Sequence, residues 1–173
     1  MMIAEAEKKL YIITMKTNHH FFFAVCFIFF VTIIISHTPS GTRAATCTPT
    51  QPDMMGPFYK PGSPERSRVG QGYILSGAVR SSKDCSPVKS AKIEFWLTGP
   101  DGEYDDDHRA TVYADSSGTY RFESNEPKPY SGRPPHIHIR VSAEHFKTLV
   151  TQHYPVTGKT KSSFDLVLMP ANE

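Results

Sequence analysis

Two histidines separated by a single residue are the part of this sequence best suited to chemistry. His136 and His138 follow Arg133 and two prolines, which restrict the backbone that leads into the pair. On a β-strand such residues point to the same face, so the pattern would place two imidazole rings side by side on rigid backbone. Metal binding is one interpretation, and a pair of histidines on a wet strand face is the other. Arg133 would be an unusual neighbour for a simple cation site.

The other ligands of such a site would have to come from distant parts of the chain. No Asp or Glu lies near the pair in sequence, and the cysteines are expected to be paired, so a zinc-type ligand set is incomplete. Tyr104 and Tyr130 are available instead, because phenolate oxygen and imidazole nitrogen together suit a hard trivalent cation such as iron. The alternative for each tyrosine is the ordinary one, in which the ring packs and the hydroxyl meets water.

Short runs with two-residue alternation follow residue 71 and predict β-strands. The predicted strands are Tyr73–Val79, Lys92–Leu97, Ala110–Tyr113, Thr119–Phe122, His136–Ser142, Leu149–His153 and Phe164–Leu168. In the second of them Ile93 and Phe95 alternate with the charged residue Glu94, so one face is apolar and the other is expected to meet water. Turn-forming residues separate the runs, and no stretch has the pattern of a long amphipathic helix.

The strand pattern predicts the fold class. About seven to eight short strands at this spacing are typical of an all-β domain, here an antiparallel β-sandwich over residues 71–173. Residues 46–70 are rich in Pro, Gly, Ser and Thr, and they predict an N-terminal coil packed on that domain. The net charge of +2 over 173 residues, without a basic stripe, argues against a nucleic-acid partner.

The first 45 residues differ in composition from the rest and predict a signal peptide that is cleaved on export. Basic residues precede an apolar run from Phe21 to Ser36, and Ala44 and Ala45 follow it where a signal peptidase would cut. The run has about 16 residues, whereas a membrane-spanning helix needs roughly 20. Secretion without membrane attachment is therefore expected, and a retained signal anchor is the alternative.

Cysteine pairing follows from the expected export. Cleavage removes Cys26 and leaves Cys47 and Cys85. An even pair of cysteines in an oxidising compartment predicts a disulfide, which would tie the new N-terminus to the loop after the first core strand. Two unpaired buried thiols are the alternative.

Seven blocks of the mature chain match a known family in residues and in order. They are Gly56-Pro57-Phe58-Tyr59, Leu75–Val79, Pro87–Trp96, Asp101-Gly102-Glu103-Tyr104, Asp115–Phe122, Arg133–His138 and Thr151-Gln152. Through these blocks the chain resembles the intradiol ring-cleavage dioxygenases, the family of catechol 1,2- and protocatechuate 3,4-dioxygenases. Seven blocks in the family's order are far more specific than a His-x-His pair alone, and they imply a short secreted member.

The resemblance also implies a ligand set and a reaction. The Fe(III) ligands that it implies are Tyr104, Tyr130, His136 and His138. Arg133 and Gln152 match family residues that lie near the substrate ring, and Tyr130 would also act in catalysis by taking up a substrate proton. The implied reaction is the intradiol cleavage of small catechols by dioxygen, which gives cis,cis-muconate-type products.

Two departures from the family pattern affect this expectation. Tyr130 lies only six residues before His136, closer than in the bacterial catabolic enzymes, which implies a more open site. The N-terminal helical region through which catechol 1,2-dioxygenases dimerise has no counterpart, so a monomer is expected. Two other functions stay open: a secreted non-catalytic β-sandwich binding module with a vestigial metal site, and a copper or zinc protein that uses the His-x-His pair.

Three further residues have simpler interpretations. Trp96 is expected to pack against the sheet, and His153 is expected to be a surface or structural residue. Tyr59 could reach the site, but the simpler prediction is that its side chain packs on the sandwich and holds the N-terminal coil there.

Overall fold

The computed structural model describes residues 47–172, and this part of the chain is built from β-strands without an α-helix. The strands are β1 (Tyr73–Ser81), β2 (Lys92–Leu97), β3 (Arg109–Tyr113), β4 (Thr119–Ser124), β5 (Ile137–Ser142), β6 (Leu149–His153), β7 (Lys161–Ser163) and β8 (Leu166–Leu168). The described range holds no helix of the length and hydropathy needed to cross a membrane. The predicted signal peptide over residues 1–45 lies outside the described residues.

The eight described strands form two four-stranded sheets. In one sheet the order is β3-β2-β5-β6, and all neighbours are antiparallel. In the other sheet β4 is antiparallel to β1, whereas β7 and β8 run parallel to successive stretches of β1. The predicted all-β sandwich is confirmed, with two parallel pairings that the sequence pattern did not predict.

The last strand begins at Leu166, two residues later than the predicted Phe164–Leu168, and β7 just before it was not predicted. The carboxylate of Asp165 accepts a hydrogen bond from the backbone nitrogen of Ala78 at 2.8 Å, and this side-chain bond interrupts the backbone ladder. Gly77 lies opposite, where a Cβ atom would collide with the carbonyl group of Phe164. Phe164 and Asp165 therefore lie between two strands of three residues each, β7 and β8.

The core between the sheets determines which way β5 faces. Phe95 of β2 stacks on Phe122 of β4 with ring centroids 4.2 Å apart. Ile137 and Ile139 of β5 are fully buried in the same core, where each contributes roughly 1.5–3 kcal/mol. Because successive strand residues alternate in direction, His138 is turned to the opposite face of the sheet.

The outer face of β2 is buried as well, so the expectation that this face meets water is wrong. Glu94 is 1% exposed and Trp96 is 2% exposed. Glu94 pairs with Lys92 at 3.0 Å and with Arg140 at 2.7 Å. Burial raises the pKa of Glu94, but the hydrogen bonds and charges of the two cations outweigh burial and hold this pKa below its ordinary value. Strand periodicity could not indicate this burial because the cover is a coil segment.

That cover is the N-terminal coil, which begins at a disulfide. Cys47 and Cys85 are bonded as predicted, a feature compatible with an extracellular protein. The ring of Tyr59 packs on Trp96 with centroids 5.2 Å apart, and its hydroxyl lies 3.4 Å from both carboxylate oxygens of Glu94. Tyr59 therefore holds the coil on the sandwich.

Candidate functional site

The two histidines of the His-x-His pair come together at the start of β5. His138 is the second residue of β5, in register with Trp96 of β2 and Gln152 of β6. His136 lies just before the strand, which begins at Ile137, one residue later than predicted. The Nε2 atoms of the two rings are 3.1 Å apart, and both side chains are buried. The structure thus has the two imidazoles side by side.

The hydrogen bonding of His136 determines which of its nitrogens can bind a metal. Nδ1 lies 2.7 Å from the carbonyl oxygen of Pro134, which can only accept, so Nδ1 carries the proton and Nε2 of the neutral ring holds a lone pair. Burial lowers the pKa of both histidines, to about 4 for His138. Both rings are therefore neutral at pH 7, and neutral imidazole is the form that binds metal ions.

The lone pair of His136 faces more groups than it can accept. Oη of Tyr104 lies 3.0 Å from Nε2 of His136, and Nε2 of His138 lies 3.1 Å from the same atom. One lone pair accepts one good hydrogen bond, so the two groups compete for it. Nδ1 of His138 is buried and makes no hydrogen bond of good geometry in the described part of the chain, although the backbone of Met54 interacts with this ring. Three crowded donor atoms fit a shared cation better than mutual hydrogen bonds.

The two tyrosines complete the cluster from separate loops. Tyr104 lies between β2 and β3, Tyr130 lies between β4 and β5, and their rings meet edge to face with centroids 5.4 Å apart. Burial raises the pKa of Tyr104 to about 12, so its hydroxyl stays protonated unless a cation favours the phenolate. All four side chains predicted as ligands line the same cavity.

Gly56 and Phe58 of the N-terminal coil pack against this cluster, although the sequence indicated a possible role in the site for their neighbour Tyr59 alone. The ring of Phe58 stacks on Tyr104 at 4.3 Å and meets Tyr130 edge-on at 5.1 Å. Gly56 has a φ of 71°, and a Cβ atom there would lie 3.1 Å from Cε1 of His138. The only sequence signal for this packing was the Gly-Pro-Phe-Tyr block itself.

The cavity in front of the cluster has a volume of about 250 Å³. This is just below the range of roughly 300–1,000 Å³ usual for small-molecule sites, so the space suits a single small ring. Its lining consists of Met54, Gly56, Pro57, Phe58, Tyr104, Tyr130, Ser131, Arg133, His136 and His138. Arg133 brings the one permanent charge of this lining.

Gln152 contacts Arg133 and stands behind it, off the cavity wall. Nη2 of Arg133 donates to Oε1 of Gln152 at 2.7 Å and to Oη of Tyr154 at 2.9 Å. The amide of Gln152 donates to the carbonyl oxygen of Met54. Of the three residues predicted to be catalytic, Tyr130 and Arg133 line the cavity, and Gln152 contacts Arg133 without lining it. Tyr154 was not identified from the sequence.

Between residues 47 and 172 no three His, Cys, Asp or Glu side chains lie together in a way that could hold a metal ion. The side chains beside His136 and His138 that offer further oxygen ligands are those of Tyr104 and Tyr130. Phenol oxygens and imidazole nitrogens together favour iron.

The chain is similar in sequence to curated dioxygenases, although no family model matches it. It is 28% identical over 153 residues to a chlorocatechol 1,2-dioxygenase of Pseudomonas sp. (strain P51), covering 69% of this chain and 61% of that protein. It is 31% identical over 142 residues to a hydroxyquinol 1,2-dioxygenase of Corynebacterium glutamicum, covering 63% of this chain and 46% of that protein. The chain thus spans about half to three fifths of the length of these relatives.

A solved structure agrees with these sequence matches. The dioxygenase domain of a dioxygenase carbohydrate-binding protein fusion from Streptomyces sp. SirexAA-E superposes with a TM-score of 0.64 at 26% identity, covering 72% of this chain and 100% of that one. The eight-stranded sandwich and the sequence matches to 1,2-dioxygenases lead to one assignment. Together they support the intradiol ring-cleavage dioxygenase family for this chain.

Proposed function

We propose that this protein is a non-haem Fe(III) intradiol dioxygenase that opens the ring of small catechols with dioxygen and gives cis,cis-muconate-type products. The observation that carries the proposal is the convergence of four side chains on one small cavity. Those side chains are Tyr104, Tyr130, His136 and His138. The relatives are named for chlorocatechol and hydroxyquinol, which are single rings with adjacent hydroxyl groups, and the cavity volume suits one ring.

The donor atoms support iron as the bound metal. Two neutral imidazoles and two phenols offer nitrogen and hard oxygen ligands, a combination that favours iron over copper or zinc. The crowding of Oη of Tyr104 and the two Nε2 atoms around one point supports a shared cation. Nε2 of His136 is already the deprotonated nitrogen because Pro134 holds the proton on Nδ1.

The chain's own residues would bind and orient the substrate. When bound, Fe(III) would supply Lewis acidity that makes a catechol more acidic and its ring reactive towards dioxygen. Oη of Tyr130, a phenolate while it holds the metal, would take up one of the two protons that the catechol hydroxyls lose, and the other proton would pass to water. Arg133 would stabilise negative charge that develops on the ring. Phe58 and the apolar walls beside it would exclude water.

We further propose that the protein is secreted as a monomer after removal of residues 1–45. The Cys47–Cys85 disulfide supports secretion because such bonds persist in oxidising compartments. Mass spectrometry of protein exported by a eukaryotic host tests the cleavage, with a chain that begins at Ala45 or Thr46 as the expected result. An intact leader on the exported protein would contradict it, and size-exclusion chromatography with light scattering tests the monomer.

The visible absorption spectrum of the purified protein, supplied with ferric iron, tests the iron site. Phenolate bound to Fe(III) gives a broad charge-transfer band, so a red-brown protein is expected. Anaerobic addition of catechol should shift the band, and admission of air should then yield a muconate-type product. Catechol added to protein loaded with gallium, a redox-inert trivalent ion, is the control and should yield no product.

The alternatives predict different spectra. A colourless protein that retains no ferric iron would contradict the dioxygenase proposal and favour the non-catalytic binding module. Retention of copper or zinc in place of iron would favour the metal protein that uses the His-x-His pair alone.

A further inference from the structure

Arg133, the cation that lines the cavity, is held from behind by a chain of hydrogen bonds that ends at a carboxylate. Its Nη2 donates to Oη of Tyr154 at 2.9 Å, and that hydroxyl lies 2.8 Å from Oδ2 of Asp53. The other carboxylate oxygen of Asp53 accepts from the backbone nitrogen of Met54 at 2.6 Å. One phenol therefore bridges a cation that faces the cavity and an anion in the N-terminal coil.

The directions of these hydrogen bonds follow from the charges. Burial raises the pKa of Asp53, but the hydrogen bonds from Met54 and Tyr154 and the charge of Arg133 outweigh burial and lower it overall. Asp53 is therefore an anion that can only accept, and it is a nearer and stronger acceptor for the hydroxyl of Tyr154, at 2.8 Å, than Oε1 of Gln152 at 3.0 Å. The oxygen of Tyr154 is then left as an acceptor for Arg133. Both bonds involve a charged group, which makes them stronger than bonds between neutral groups.

The backbone around Arg133 does not fix its side chain. Arg133 closes a tight turn from Tyr130, in which Ser131 has a φ of 49° and Gly132 a φ of 77°. The side chain is long and flexible, so its direction depends on what its guanidinium group contacts. Gln152 supplies one contact at 2.7 Å, and Tyr154 supplies the second.

The second contact also ties two distant parts of the chain together. Asp53 lies in the coil, and its backbone nitrogen bonds to the carbonyl oxygen of Val150 in β6 at 2.9 Å. Tyr154 directly follows the last residue of β6. The backbone of Asp53 is thus bonded to β6, the same strand that leads to Tyr154. This bond holds the carboxylate end of the bridge in place.

We propose that Tyr154 and Asp53 are positioning residues for ring cleavage, which hold the guanidinium of Arg133 over the bound catechol through the bridge from guanidinium to phenol to carboxylate. This inference rests on the proposed function, because Arg133 matters only if a ring binds in the cavity. Neither residue needs to touch the substrate. Their effect is to keep one orientation of the cation populated before the substrate arrives.

The variant Tyr154→Phe tests the bridge because it removes one oxygen and keeps the ring. In the iron-loaded protein we expect kcat for catechol to fall about ten-fold, the effect of losing one hydrogen bond to a charged group in a partly exposed setting. The loss should fall on kcat more than on KM, because charge on the substrate ring develops during the reaction. Iron content and the charge-transfer band should stay unchanged. Tyr113→Phe, at an exposed tyrosine that ends β3, is the matched control and should keep wild-type kcat.

Two substitutions of Asp53 test the role of its carboxylate in the bridge. Asp53→Asn keeps an oxygen that accepts from Tyr154, whereas Asp53→Ala removes both the charge and the acceptor. We expect the kcat of Asp53→Asn to lie between those of the wild type and Asp53→Ala, which is the order a hydrogen-bonded bridge predicts. An equal loss of iron and of kcat in all three variants would show a merely structural role and overturn the inference.

NMR of the nitrogen-labelled, metal-free protein separates this inference from the proposed function. The side-chain N–H signals of Arg133, assigned by their loss in Arg133→Lys, should exchange slowly with water in the wild type and faster in Tyr154→Phe. Unaltered signals in Tyr154→Phe would overturn the positioning role even if the enzyme is active. A wild-type protein that binds iron but cleaves no catechol would overturn the proposed function instead, and the NMR result would still report on the bridge.

Discussion

The indole ring of Trp96 lies face to face with the imidazole ring of His138, with centroids 4.9 Å apart and planes within 3°. Trp96 is the one tryptophan of the sequence and is 2% exposed. Ferric iron bound at His138 would place an absorbing centre next to this fluorophore. We therefore expect tryptophan emission to fall steeply on iron addition and to level off at one equivalent, as measured by fluorescence titration of the metal-free protein.

Gallium provides the control for that titration. It offers the same charge without the visible charge-transfer band, so it should bind and leave more of the emission in place. Full emission in a protein that demonstrably holds one equivalent of iron would contradict the placement of the metal at His138.

The contact of Gly56 with His138 predicts a weaker site in Gly56→Ala. A Cβ atom would lie 3.1 Å from Cε1 of His138, and the φ of 71° adds strain to any residue with a side chain. We expect the ligand ring to shift and the affinity for ferric iron to fall about 10- to 100-fold, as when a support of a metal ligand is lost. Competition with a chelator, followed by tryptophan emission, measures the affinity.

A substitution at a second glycine separates the effect of the contact with His138 from the effect of backbone strain. Gly62 has a φ of 80°, but a Cβ atom there meets nothing within 4 Å, so Gly62→Ala carries the strain alone. We expect near wild-type iron affinity for Gly62→Ala. Equal losses of affinity in the two variants would mean that strain in the coil, and not the contact with His138, governs the site.

Tyr104→Phe should remove a proposed ligand atom and leave the packing intact. The phenylalanine ring can keep the stack on Phe58, whose centroid lies 4.3 Å from that of Tyr104. We expect the charge-transfer band to bleach or shift and catechol cleavage to fall by at least about 100-fold, because the loss of a metal ligand exceeds the loss of a supporting group. The visible spectrum and oxygen uptake measure the two effects. An unchanged spectrum would exclude Tyr104 as a ligand, and Tyr113→Phe again serves as the control.

Local patterns in the sequence predicted part of this site, and contacts between distant residues account for what they missed. Alternation along β5 sufficed to place His136 and His138 on one face, since that relationship spans only three residues. Tyr104 and Tyr130 required the family resemblance, because two loops must fold before their rings meet. Phe58 lies within a matching block, yet its stacking on Tyr104 depends on how the coil crosses the sheet.

The same reasoning explains the errors in the fold. Strand alternation indicated that Glu94 faces water, and it does lie on the outer face, but the coil and two cations bury it there. The bridge between Asp53 and Tyr154 joins residues about a hundred positions apart, so no local signal could reveal it. The hydrogen bond from Ala78 to Asp165, which shortens the last predicted strand at its start, is likewise a tertiary contact.

The burial of His153 leads to a prediction of how the stability of the protein depends on pH. Its side chain is 7% exposed, Nε2 lies 2.7 Å from the hydroxyl of Tyr73, and burial lowers its pKa to about 4 from an ordinary value of 6.5. Between these two values the unfolded chain binds a proton that the folded protein does not, so stability falls as the pH drops from about 6.5 to about 4. The loss attributable to His153 is at most about 3 kcal/mol.

Urea denaturation at several pH values measures this dependence. His153→Gln keeps a hydrogen-bond acceptor for Tyr73 and does not titrate, so its stability should vary less with pH than that of the wild type. His145→Gln is the control, because that side chain is 85% exposed and should leave the pH dependence unchanged. Equal pH dependence in the wild type and His153→Gln would contradict the prediction.

Removal of the Cys47–Cys85 disulfide is expected to lower the folding stability of the protein and to have little effect on iron binding. Cys47 and Cys85 are 38 residues apart, and releasing a loop of this length is expected to cost about 3–4 kcal/mol of folding free energy. The double variant Cys47→Ser, Cys85→Ser should therefore unfold at lower urea concentration. Its iron affinity should fall less than that of Gly56→Ala, because Tyr59 still holds the coil against Trp96 and Glu94 next to the metal ligands. If iron affinity collapses in the double variant, the covalent bond and not the packing of Tyr59 keeps the coil on the site.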